Sequence, residues 1–146
     1  LGKDIEYIYG SIKYVLIYVI AGLFGSLGSF IFNKAISAGA SGAIFGLMGA
    51  YLYFGTRKPA IFSARYGLNI LTILAINVFF GLSNPSIDNY AHIGGLVGGY
   101  LASCSFGLKK ESFLKISRIL FLLGTFSLII ALFLCGMIIN LRTLAV

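Results

Sequence analysis

Charge is what this sequence has least of. Charged residues make up 10% of its 146 positions, with four Asp and Glu in all, while 59% of the side chains are hydrophobic and the mean hydropathy is +0.99. A soluble domain of this size needs a polar coat that so few charges do not supply. A soluble fold is therefore excluded, and the chain reads as an all-α, polytopic transmembrane helical bundle. Acidic residues are missing from every apolar run, which argues against a transporter, where acidic groups are expected at the membrane centre. Cysteine is scarce too: Cys104 and Cys135 lie inside apolar runs without metal-type spacing, and read as small buried hydrophobes. No metal or cofactor is expected. A cleavable signal-peptide pattern is also missing.

What is present is a set of five apolar segments, about 12–32, 39–54, 66–82, 90–107 and 119–141. A spanning helix needs ~20 apolar residues, so the outer two are ample and the middle three short. The net charge of +7 comes from basic residues in the connections rather than in a stripe. That placement marks membrane topology and excludes a nucleic-acid partner. Lys3, Lys13, Arg57, Lys58, Arg65, Lys109, Lys110, Lys115 and Arg118 fall on one side of the five segments; Lys34 and Arg142 fall on the other. The positive-inside rule puts the start of the chain inside and its terminus outside. The 109–118 connection reads as an inner topology signal that touches anionic lipid.

The same orientation puts two scarce groups at one depth. Ser41 stands at the outer end of the second segment, and His92, the one histidine, at the outer end of the fourth. An intramembrane histidine is by default a functional-site hypothesis with a partner to be named. Glycines spaced by four follow each residue: Gly42 and Gly46 after Ser41, then Gly94 with Gly98 and Gly95 with Gly99 after His92. Small residues at that spacing let membrane helices approach closely, so the two faces are expected to meet; the other reading packs each stripe on a different neighbour. Gly22, Gly25 and Gly28 read as packing positions without chemistry.

Serine becomes a nucleophile when a base takes its proton, and imidazole is the usual base. Gly39 and Gly42 leave Ser41 uncrowded, and a backbone N–H near a helix start favours developing negative charge. No carboxylate is placed to orient His92, because Asp88 reads as a helix cap; Asn89 is near enough to hydrogen-bond at the site. A Ser41–His92 dyad follows, with the alternative that both residues are merely packed.

The run Gly39-Ala40-Ser41-Gly42-Ala43-Ile44-Phe45-Gly46, followed by Asn89-Tyr90-Ala91-His92-Ile93-Gly94-Gly95, resembles the rhomboid family of intramembrane serine proteases. The resemblance covers roughly residues 4–107, with Glu6 and Gly10 similar to the start of the family's third core helix. It implies Ser41 as nucleophile and His92 as general base and acid. It also implies Phe45 as the aromatic position against the histidine and Asn89 as the polar position before it. The family's His-x-x-x-Asn pattern, which helps form the oxyanion hole, belongs on a core helix ahead of the first segment here. The chain is accordingly expected to be the C-terminal part of a longer protein and nearly inactive alone. Residues 1–107 then form a partial rhomboid core, and 108–146 a basic inner loop with an extra C-terminal helix.

The expected function is an intramembrane serine endopeptidase of a bacterial plasma membrane, acting on transmembrane protein substrates within the lipid bilayer. The alternative is a catalytically silent rhomboid-like protein that binds membrane clients. Oligomeric state is left open. Of the remaining polar groups, Asn77 is expected to bond between helices, Ser103 and Ser105 to their own helix. Tyr51 and Tyr53 are expected in packing or at the interface, and Pro59 and Pro85 in loops.

Overall fold

The computed structural model describes residues 1–33, 40–111 and 116–144, and these are all-α. A short amphipathic helix, α1 (Gly2–Tyr9), turns at Gly10 into α2 (Ser11–Phe32). Gly10 has φ +87°, a left-handed backbone that L side chains adopt only with strain. Next come α3 (Ser41–Arg57) and α4 (Pro59–Phe62), then a π turn at Ser63–Gly67 and α5 (Leu68–Ser83). α6 (Asn89–Phe106) and α7 (Ile116–Leu144) complete the bundle.

Among the described residues, three helical stretches are long and apolar enough to cross a membrane: Ser11–Phe32, Pro59–Ser83 and Arg118–Ile139. The chain is an integral membrane protein. Pro59 is the first residue of α4 rather than part of a loop. Proline suits that position because the first helical N–H has no intrahelical partner to lose. The third segment is thereby longer than its apolar pattern suggested, running continuously from residue 59 to 83. Pro85 does lie in the turn before α6.

The core is the meeting of α2, α3 and α6, and glycine makes it. On α6, Gly95 and Gly99 lie against the backbone of Gly42 and Gly46 in α3, while Gly94 and Gly98 lie against Phe24 and Gly25 in α2. Both readings of the stripes therefore hold in part: one face meets α3, and its neighbour meets a different helix. A methyl group added to Gly28 would sit 2.6 Å from the Tyr90 carbonyl oxygen, and one on Gly25 would sit 2.9 Å from that of Ala91. Real side chains do not fit such gaps. Backbones this close gain the dispersion contacts that replace hydrophobic drive in lipid. Gly49 extends the α3 face against Leu96 and Tyr100; its spacing of three from Gly46 was the signal for it.

At one end of the bundle the basic connections converge. Lys13 Nζ donates to the carbonyls of Gly107, Leu108 and Glu111 at 3.2, 2.7 and 3.0 Å. Glu111 bridges Arg57, at 3.2 Å, and Arg118. Burial pushes the Glu111 carboxyl up, but the Arg57 hydrogen bond, the Arg118 charge and the Leu108 N–H together hold it below the usual carboxylate value. Tyr9 fastens α1 by donating to the Ala50 carbonyl at 2.7 Å, its hydroxyl proton held tightly because burial disfavours the phenolate. Gly107, at φ +63°, ends α6 and lets this turn form.

Four further expectations meet their outcome here. Asn77 does not reach another helix: its amide donates to the Ile73 carbonyl of its own α5 at 2.8 Å. The reason is that α5 buries only Ile70 and Gly81, and Asn77 is exposed among the described residues. Cys135 is exposed on α7 rather than buried, while Cys104 is half-buried. Ser103 and Ser105 bond back to Gly99 and Leu101, and Tyr51 and Tyr53 are buried.

Candidate active site

Ser41 is the first residue of α3, and the first intrahelical bond there runs from the Ile44 N–H to the Ala40 carbonyl at 3.0 Å. The N–H groups of Ser41, Gly42 and Ala43 are thus left without intrahelical partners, as at any helix start. The Ser41 side chain is exposed although most of α3 beyond it is buried. Gly39 lies outside the described residues, as do Lys34 and Lys115.

His92 is the fourth residue of α6. That helix starts where Asp88 accepts the Ala91 N–H at 3.0 Å, so the carboxylate acts as a cap. His92 is half-buried, and its Nδ1 is buried without a hydrogen-bond partner among the described residues. Phe45, one turn after Ser41 on the same face of α3, stacks on the imidazole with ring centroids 4.0 Å apart and planes 10° from parallel. The ring fixes the imidazole plane without competing for either nitrogen.

The backbone beneath brings the two helix starts together. A Cβ on Gly42, the residue after Ser41, would lie 3.1 Å from the carbonyl of Ala91, the residue before His92. Gly25 of α2 backs the same junction. With α3 and α6 in backbone contact at these neighbouring positions, Ser41 and His92 occupy one end of one helix interface. It is the end opposite the Lys13–Glu111 cluster.

Asn89 points elsewhere. Its amide donates to the Gly81 carbonyl at 2.8 Å, and its side chain fills the space above that glycine. It fastens the C-terminal end of α5 to the start of α6, so its amide donor is engaged away from His92. The sequence carried a signal for this in Gly81, a lone glycine at the end of an apolar helix. Beside the site, Tyr90 stacks on Phe32 with centroids 5.4 Å apart, closing α6 onto the end of α2.

Chemically, the arrangement offers an exposed hydroxyl at a helix start whose first N–H groups lack intrahelical partners, at the same end of the α3–α6 interface as an imidazole stacked on Phe45. Such a site can activate an alcohol for acyl transfer.

Comparison with known proteins gives the same family throughout. A model of the Rhomboid domain matches residues 1–109. The chain is similar to rhomboid protease GluP of Bacillus subtilis (strain 168), with 47% identity over 110 residues, covering 75% of this chain and 22% of that protein. It is also similar to RHOMBOID-like protein 1 of Arabidopsis thaliana, 39% identical over 114 residues, covering 76% of this chain and 29% of that protein. RHOMBOID-like protein 6, mitochondrial, of Arabidopsis thaliana is 45% identical over 102 residues, covering 68% and 33%. The chain thus spans between about a fifth and a third of the length of these relatives.

Proposed function

The chain belongs to the rhomboid family, and from that premise we propose that it carries the Ser–His dyad of an intramembrane serine endopeptidase. Ser41 Oγ attacks a peptide carbonyl in a locally unwound transmembrane substrate. His92 accepts the hydroxyl proton, the tetrahedral oxyanion collapses to an acyl-enzyme, and the imidazolium passes its proton to the leaving amine. Water, deprotonated by the same imidazole, then releases the acyl group and restores Ser41. The Ser41 N–H and its neighbours in the first turn of α3 face the oxyanion, and Gly42 leaves room for the carbonyl.

Five crossings fit this reading: α2, α3, the continuous 59–83 helix, α6 and α7. At 17 and 18 residues α3 and α6 are short; at ~1.5 Å per residue they reach about 26 Å. Their upper ends then sit below the outer lipid surface, where water reaches His92. The basic connections face the cytoplasm of a bacterial plasma membrane, and the cut falls near the outer end of the substrate helix. Residues 1–107 form the proteolytic part and α7 an added span.

The observation that supports this most is the Phe45–His92 stack one turn below Ser41, on helices in backbone contact. An activity-based fluorophosphonate probe on the full-length protein in membranes tests it. Labelling should be lost in Ser41→Ala and fall by several powers of ten in His92→Ala. Labelling that survives Ser41→Ala excludes Ser41 as the nucleophile, and a wild-type protein that is never labelled favours the silent, client-binding reading.

A further inference from the structure

At the end of the bundle far from Ser41 and His92 lies a cavity of about 660 Å³ between α1, the end of α3, the α4–π turn and the α6–α7 connection. Four cations line it: Lys58, Arg65, Lys109 and Lys110. All four are exposed, and among the described residues none forms an ion pair with a carboxylate. The one acid in the lining, Glu111, is already bridged by Arg57 and Arg118. The cleft therefore keeps an uncompensated positive charge. Its other walls are apolar or aromatic, with Ile8, Phe54, Ile61 and Leu108 below the cations and Tyr66 beneath the Arg65 guanidinium at 5.9 Å.

The walls are held in place from three sides. The Lys109 N–H bonds to the Ile8 carbonyl at 3.0 Å, tying the α6–α7 connection to α1. Lys13 caps the same connection through three carbonyls. Phe62 packs against Gly55 and Gly67, setting the angle at which the π turn leaves α3.

We propose that this cleft binds the headgroup of an anionic glycerophospholipid of the inner leaflet. The phosphodiester sits among the four cations, and an acyl chain lies along Ile61 and Leu68, which are 48% and 79% uncovered by the rest of the chain. A free phosphate satisfies the charge but leaves these apolar walls wet; a diacyl lipid satisfies both. Because two of the cations sit on the α3–α5 side and two on the α6–α7 connection, one lipid bridges the base of α5 to the rest of the bundle. The inference goes beyond the proteolytic reading and stands whether or not Ser41 is the nucleophile.

The test is titration of the detergent-solubilised full-length protein with dioctanoyl phosphatidylglycerol, dioctanoyl phosphatidylcholine and inorganic phosphate, followed by thermophoresis. Phosphatidylglycerol should bind about tenfold or more tighter than phosphatidylcholine, and phosphate should not displace it. Each lost cation is worth about fivefold, so the double variant Lys58→Gln/Arg65→Gln should weaken phosphatidylglycerol on the order of 30-fold. Lys109→Gln/Lys110→Gln, on the opposite wall, should weaken it to a similar extent. Lys3→Gln, an exposed cation outside the lining, should change it less than twofold. Equal binding of the two lipids, retention by both double variants, or an equal loss in Lys3→Gln overturns the site. Phosphate that binds as tightly as the lipid and competes with it replaces the lipid by a free anion and overturns the proposal as well.

Discussion

The α2–α3–α6 trio and the outer helices α5 and α7 solve the same problem in opposite ways. The trio is glycine-rich, with backbones in contact at Gly42, Gly46, Gly95 and Gly99 and few uncovered residues along α3. The 59–83 and 118–139 stretches are strongly apolar, yet little of either is buried in the protein. In water the most hydrophobic helix goes to the centre. In lipid it has no reason to, since an acyl chain is as apolar as a leucine, and close approach of small residues decides what packs. Ser41 and His92 stand on the trio, so both are carried by the most closely packed part of the described residues. The helix beside it, α5, is held chiefly at its ends, by the Asn89–Gly81 bond at its C-terminal end and the Phe62 packing ahead of its start.

The sharpest way to break this contrast is to add the same side chain to a glycine of each kind. In Gly99→Leu the first added carbon already collides with the backbone of Gly46, and the variant should lose about 3 kcal/mol or more. At Gly124 in α7 the first added carbon meets nothing within 4 Å among the described residues, so Gly124→Leu should stay within ~0.5 kcal/mol of the parent. Thermal unfolding of the two purified full-length variants checks this; equal losses would mean that α7 is packed as tightly as the core.

Asn89→Ala should cost about 1 kcal/mol through the lost bond to Gly81, with the effect confined to the C-terminal end of α5. Hydrogen exchange should quicken around Phe79–Ser83 and stay unchanged in α3. Exchange that quickens equally in both helices would show that α5 is part of the core after all.

A smaller effect belongs to the basic end. The Glu111 carboxyl is held below its unfolded value of about 4.3, so its contribution is fully present above that pH and is lost as pH falls through the depressed folded value. Melting temperature against pH should therefore drop below about pH 4 in the parent and be flatter there in Glu111→Gln. A parallel drop in both would assign the acid sensitivity to another group.

The smallest change is expected from Asn77→Leu, within ~0.5 kcal/mol, because the amide serves only its own helix. A large loss in the same melting assay would reveal a partner for α5 at that position.

How much could be read in advance differs between groups for identifiable reasons. Asp88 as a cap and Ser103 as a back-bonding hydroxyl were legible because their partners lie three and four residues away. Asn77 was misread because its partner depended on whether a neighbouring helix stood beside it. The α1 helix and the role of Glu111 were not legible: the first is eight residues of low overall hydrophobicity, too short to stand out beside the apolar runs, and the second joins residues 54 and 7 positions away.

The sequence alone determined that the chain is helical and lives in a membrane, which end of each segment is basic, and that Ser41 and His92 stand at one depth. These follow from hydropathy, charge placement and residue spacing, all local along the chain. Tertiary structure alone decided that Gly95 faces α3 while Gly94 faces α2, that the Phe45 ring, expected against His92, stacks parallel to it rather than edge-on, and that Asn89 serves α5. Helix rotation and neighbour choice set these, and both are fixed by the fit of whole surfaces in lipid, where hydrophobicity no longer discriminates.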